Sequence, residues 1–119
     1  MTSSLHVLVT GGAGYIGTTL VPGLLQMGFH VTVLDNLMYG QATLLDCCSN
    51  ARFDFIRGDI RDFELTNRLL SQFDVVIPLA SIVGAPACKR DPISARAVNF
   101  DAHLNLVKNS SNDQWLLFP

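Results

Sequence analysis

Charge is scarce in this chain. Lysines and arginines number 8 and aspartates and glutamates 10, so charged residues make up only 15% of the 119 residues, with a formal net charge of −2. No basic cluster exceeds the pair Lys89-Arg90, and no aromatic residues interleave with it. Nucleic acid and anionic membrane surfaces are thereby excluded as main partners. The longest apolar runs are strand-sized, so none spans a bilayer, and Met1 to Ser4 lack the charged and long apolar regions of a secretory leader. Cysteine is limited to Cys47, Cys48 and Cys88, an odd number of which two are adjacent. Adjacent cysteines rarely bridge, because a disulfide wants their Cα atoms farther apart, and no His or Cys stands at a zinc-like spacing from them. Free thiols in a reducing cytoplasm, and no metal site, are the expectation. His6, His30 and His103 show no triad or ligand spacing.

Apolar residues are abundant. They form 49% of the chain, enough for the core of one domain spanning residues 1–119. Their pattern alternates between strand and helix from end to end. Strands are expected at about residues 5–10, 30–35, 52–57, 75–79 and 114–118, and helices at about 15–27, 41–48, 63–71 and 93–109. Such alternation predicts an α/β fold with a parallel sheet and helices on both faces. Pro22 and Gly23 conflict with the first helix, where a missing hydrogen bond predicts a kink near residues 18–22.

Thr10 to Gly17 (TGGAGYIG) close the first strand and open the first helix. Gly11, Gly14 and Gly17 allow a sharp turn and a close approach of backbone N–H groups to a ligand. The helix start behind them, at Tyr15 and Ile16, offers unpaired N–H donors and a partial positive charge that suit a pyrophosphate. A tight turn with nothing bound would need the same glycines. The second expected strand ends in Asp35, which lies 35 − 17 = 18 residues beyond Gly17. That is close to the spacing of an acid that accepts from both hydroxyls of an adenosine ribose and repels a 2′-phosphate. The pair of signals points to NAD rather than NADP; a solvated strand-end residue is the plainer reading of Asp35.

Further along, Gly58-Asp59-Ile60-Arg61-Asp62 follows the third strand. Asp62 sits where it would cap the next helix, which leaves Asp59 free to reach an adenine amino group while Ile60 packs on the ring. Small residues in Leu79-Ala80-Ser81-Ile82-Val83-Gly84 leave room for a ligand at the end of a central strand. The segment through Pro86, Lys89, Arg90 and Pro92 reads as a loop, with Lys89 and Arg90 either phosphate contacts or a solvated pair. On the last helix, Ile93, Ala97, Phe100, Leu104 and Val107 form one apolar stripe, and Ala95, Val98, Ala102 and Leu106 a second. Two stripes call for cover by another segment or subunit. Asn99, polar among them, is expected to be buried and to brace the loops around the site.

Together these residues resemble the extended short-chain dehydrogenase/reductase family, the NAD-dependent nucleotide-sugar epimerases and dehydratases. Thr10 to Gly17 resembles the family's Thr-Gly-x-x-Gly-x-x-Gly. Val33-Leu34-Asp35-Asn36-Leu37 is similar to its ribose-binding strand end, Gly58-Asp59-Ile60 to its adenine-contacting segment, and Leu79-Ala80-Ser81 to the strand end beside the nicotinamide. Asp91-Pro92 and Asn99 fall where the family has an Asp-Pro pair and a structural asparagine. Within the family, the UDP-glucose 4-epimerase type is nearest, through Asp35-Asn36-Leu37 followed by Tyr39-Gly40. Ala102 and His103 depart from its usual Gly-Thr.

The resemblance implies an NAD(P)-binding Rossmann fold, here truncated after the fifth strand, with NAD as cofactor and a nucleotide sugar as substrate of the complete enzyme. It implies a homodimer through the Ile93–Asn109 helix. It also implies a catalytic Ser/Thr, a Tyr-x-x-x-Lys pair and a C-terminal substrate domain, and the sequence contains none of these. Tyr15 and Tyr39 are its only tyrosines, and neither has a lysine four residues on. The expectation is therefore the cofactor half of an epimerase or dehydratase, with no catalytic residue of its own. A non-catalytic dinucleotide-sensing module and an α/β binding protein for another phosphorylated ligand stand as alternatives.

Overall fold

A computed structural model describes residues 4–119; residues 1–3, part of the stretch read above for a leader, lie outside it. Five parallel strands form one sheet: β1 (His6–Thr10), β2 (His30–Asp35), β3 (Phe53–Arg57), β4 (Val75–Pro78) and β5 (Trp115–Leu116), in the order β3-β2-β1-β4-β5. Helix α1 (Tyr15–Gln26) follows β1, α2 (Phe63–Leu70) follows β3, and α3 (Ala85–Arg90), α4 (Pro92–Arg96) and α5 (Ala102–Asn109) lie between β4 and β5. This is the Rossmann arrangement.

Strand alternation sorts the core into two layers. Val7, Val9, Val31 and Val33 point to one face and pack with Val21 and Leu25 of α1. Leu8, Leu34 and Val76 point to the other and pack with Leu69 and Leu70 of α2 and with Val98, Ala102 and Leu106. Because β1 is buried on both faces, its apolar run is continuous rather than alternating.

Several expected elements differ. Helix α1 is not among them: it forms where expected, with Pro22 inside it. The helix expected at 41–48 is a single 3₁₀ turn, Leu45–Cys47. The segment expected as a loop after β4 contains α3, started by Pro86 in its first turn, where proline's missing N–H costs nothing. Asp91 ends it and caps α4 by accepting from Ser94 N–H at 3.0 Å. The long helix expected at 93–109 is interrupted by a π-helical stretch, Ala97–Asp101, which inserts extra backbone into the turn. The stripe of Ala95, Val98, Ala102 and Leu106 is the one buried against the sheet, whereas Ile93, Phe100, Leu104 and Val107 remain exposed. Gln114, expected to open the last strand, instead donates through its amide to the carbonyls of Leu70 and Phe73.

Candidate dinucleotide site

In this topology the chain leaves β1 toward β2 on one side and later returns to β4 on the other. The loops at their carboxyl ends diverge and leave a crevice. A cavity of about 460 Å³ occupies it. Every candidate named from the sequence lines it except Gly17, Asn99 and the basic pair Lys89-Arg90. Gly11, Gly14, Tyr15 and Ile16 form one wall, Asp35 and Asn36 the end of β2, Asp59 and Ile60 the end beyond β3, and Leu79, Ala80, Ser81 and Val83 the wall beyond β4.

The glycines do different work. Gly11 has φ +69°, and a Cβ there would stand 2.6 Å from the backbone of Ala80. A Cβ on Gly17 would lie 2.1 Å from the Gly12 carbonyl oxygen, so Gly17 lets α1 close onto the turn and does not itself reach the cavity. Gly14 is different: a Cβ would meet only the Gly11 oxygen, at 3.3 Å. Gly14 also stands at the N-cap of α1 with no side-chain cap, so the first N–H groups of the helix are left for a ligand. Sequence reading passed over Gly12, whose Cβ would meet Val33 at 2.9 Å.

Asp35 is not a solvated strand end. It is 8% exposed. Its Oδ2 accepts from Ala13 N–H at 3.0 Å and its Oδ1 from Leu37 N–H at 2.8 Å, tying the glycine turn to the end of β2. Asp62 caps α2 as expected, accepting from Leu65 N–H at 3.1 Å. Asp59, however, is not left free. Its Oδ1 accepts from the backbone N–H and Nε of Arg61, both at 2.8 Å, and its Oδ2 from Arg61 Nη2 at 2.6 Å and Asn36 Nδ2 at 3.3 Å. These four donors fill the acceptor positions of a carboxylate. Sequence reading left Arg61 without a role, although an i, i+2 acid–base pair flanking a turn was the available signal.

The Arg61 side-chain hydrogen bonds hold the Asp59 pKa down at about 2, against partial desolvation that raises it. A carboxylate with a depressed native pKa stabilises the fold above its ordinary value near 3.8. That contribution is lost as pH falls through about 2. Both partners are partly exposed, so about 1 kcal/mol is expected. Urea unfolding of the parent and Arg61→Met should differ by about that amount at pH 5, and the gap should shrink between pH 4 and pH 2. A gap independent of pH counts against the pair.

Asn99, within the π-helical stretch, is exposed rather than buried. It still braces the wall: its Oδ1 accepts from Ile82 N–H at 2.7 Å and its Nδ2 donates to the Ile82 carbonyl at 2.8 Å. His103, given no role above, adds a second brace through Nε2 at 3.1 Å from the Ala80 carbonyl. Lys89 and Arg90 lie exposed on α3, and no lysine or arginine among the described residues lines the cavity. Also in the lining, and missed from sequence, are Met38, Tyr39 and Gln41 from the loop after β2.

The NAD dependent epimerase/dehydratase family pattern matches residues 7–114. The chain is 40% identical to a UDP-glucose 4-epimerase of Mycolicibacterium smegmatis over 106 residues, which is 87% of this chain and 32% of that protein. It is similar in structure to the UDP-glucose 4-epimerase of Thermotoga maritima with UDP-glucose, with a TM-score of 0.83, 30% identity, and coverage of 96% of this chain and 37% of that one. For the Thermus thermophilus UDP-glucose 4-epimerase complex with NAD the TM-score is 0.75, with 36% identity over 88% of this chain and 33% of that one. The chain spans between about a quarter and a third of the length of the curated relatives it matches. The family match across nearly the whole sequence, joined to the Rossmann topology and the glycine turn, shows that this chain belongs to the NAD-dependent epimerase/dehydratase family.

Proposed function

We propose that this chain is the NAD-holding segment of a nucleotide-sugar epimerase or dehydratase. The observation that carries the reading is the cavity at the β1–β4 divergence, which gathers the glycine turn, Asp35 and the Asp59–Ile60 segment around one space. The residues fit the cofactor. Gly14 leaves open room at the start of α1, where a diphosphate meets backbone N–H groups in place of basic side chains. Asp35 accepts from the adenosine ribose hydroxyls with its remaining lone pairs and repels a 2′-phosphate. Ile60 packs on the adenine, whose amino group takes the place of Asn36 on Asp59 Oδ2, the longest of the four bonds there. Leu79, Ala80, Ser81 and Val83 flank the nicotinamide, and Asn99 and His103 hold that wall in place.

Bound NAD supplies reversible hydride acceptance from a sugar carbon. The chain's own part is to bind and orient it; no Tyr-x-x-x-Lys pair in this sequence is available to take the sugar's proton. Calorimetric titration tests the reading. NAD should bind with NADP at least tenfold weaker, and no heat from NAD sinks the proposal. Three free thiols, one of them, Cys47, pushed up in pKa chiefly by burial, fit a reducing cytoplasm. No helix among the described residues is long and apolar enough to cross a membrane.

The exposed stripe supports a homodimer. Ile93 is 83% exposed and Val107 50%, and Phe100 and Leu104, between them in sequence, are exposed as well. A second copy covering this row would remove that apolar surface from water. Sedimentation should show a dimer in the parent and a monomer in Leu104→Asp; a parent that stays monomeric at high concentration defeats this part.

A further inference from the structure

Strand β4 ends at Pro78, yet the chain runs on through Leu79, Ala80, Ser81, Ile82 and Val83 as one wall of the cavity. Backbone beyond a sheet has lost its ladder, so its N–H and C=O groups need other partners. Here they are supplied one at a time. Leu79 N–H donates to the Thr10 carbonyl at 2.8 Å, and Asn99 takes both backbone groups of Ile82. The Ala80 carbonyl lies 3.1 Å from His103 Nε2. A carbonyl only accepts, so that nitrogen carries a proton and donates. The imidazole is half-buried and packs on Phe118, with ring centroids 5.8 Å apart and planes at 57°. Ala102-His103 is also where the sequence departs from its family's usual Gly-Thr, so this contact is particular to the chain.

A trans peptide holds its C=O and the following N–H in one plane, pointing opposite ways. No peptide among the described residues is cis. The Ala80 carbonyl points to His103, which stays outside the cavity lining, whereas Ala80 and Ser81 both belong to it. The Ser81 N–H is thereby turned away from His103, to the cavity side, and it has no acceptor among the described residues. We propose that His103 is a positioning residue: by holding the Ala80 carbonyl it aims the Ser81 N–H at an acceptor on the nicotinamide half of the dinucleotide. This assignment rests on the NAD reading above. Without the imidazole donor the Ala80–Ser81 peptide is free to rotate and the N–H loses its aim. The residue before it stays fixed, because Leu79 keeps its bond to Thr10 and Ala80 N and Cα keep their close approach to Gly11. The adenine and diphosphate contacts come from the glycine turn and from the segments after β2 and β3, none of which contains this peptide. His103 therefore acts on NAD and not on ADP, which lacks the nicotinamide riboside.

The test titrates the parent, His103→Leu and His103→Gln with NAD and with ADP. Leucine removes the donor at similar size, whereas the glutamine amide reaches as far as Nε2 and still donates. His103→Leu should bind NAD about fivefold more weakly, the worth of one neutral hydrogen bond, and should bind ADP as the parent does. His103→Gln should recover most of the loss. In amide-resolved NMR spectra the Ser81 N–H resonance should move on adding NAD to the parent and to His103→Gln, and should stay put in His103→Leu. Equal losses in the two variants would reduce His103 to packing against Phe118. That result, equal weakening of NAD and ADP in His103→Leu, unchanged NAD affinity in both variants, or a parent Ser81 resonance indifferent to NAD overturns the assignment and leaves the NAD reading intact. A parent chain that binds no NAD overturns both.

Discussion

Gly17→Ala is expected to lower folding stability by about 3 kcal/mol, at the upper end for overpacking, and the thermal midpoint by about 10 °C. The added methyl would sit 2.1 Å from the Gly12 carbonyl oxygen. Backbone cannot rotate away as a side-chain tip does, so α1 must lift off the turn. That lift also strains the Val21 and Leu25 contacts with Val9 and Val33, since these share one packed layer. Gly14→Ala provides the contrast. Its methyl meets one oxygen at 3.3 Å, and its backbone is extended, with φ −81°. Stability should change by less than about 1 kcal/mol, while NAD affinity falls because the methyl occupies the approach to the helix start. Thermal melts and titrations of both variants decide the matter. Equal melting temperatures for the two would show that the motif's glycines are not divided between folding and binding in this way.

Asp35→Ala should weaken NAD binding at least a hundredfold. Two charge-assisted hydrogen bonds to ribose hydroxyls together exceed about 3 kcal/mol, and a hundredfold change corresponds to about 2.8 kcal/mol. The structure adds a second consequence. The same carboxylate accepts from Ala13 and Leu37, so its loss leaves two N–H groups without their partner and loosens both the glycine turn and the strained Leu37 loop. Some destabilisation should accompany the loss of binding, and affinity must be measured at a temperature where circular dichroism shows the variant folded. Binding within threefold of the parent under those conditions would remove Asp35 from the site.

The residues that sequence alone exposes are those whose chemistry is tied to spacing along the chain. The strand–glycine–helix transition and the acid at the end of the next strand lie within one βαβ unit, where spacing along the chain fixes geometry. Asp62 as a cap was legible for the same reason. Arg61 on Asp59 was not, because the choice between solvent and a neighbouring carboxylate depends on how the turn after β3 folds. The π-helical stretch was illegible from period, since residues 93–109 fit a regular 3.6-residue repeat well enough. Only packing against Leu8 and Val76 decides which of the two stripes is buried.

The sequence by itself determined the α/β class, the positions of most strands, the glycine turn and the acid at Asp35, because each is set by local periodicity or by what only glycine or a carboxylate can do. The tertiary structure alone decided that Gly17 serves packing and Gly14 the cavity, that Asp59 is already engaged, and that His103 reaches the Ala80 carbonyl. Those facts depend on atoms brought together from separate segments, and distance along the chain does not report distance in space.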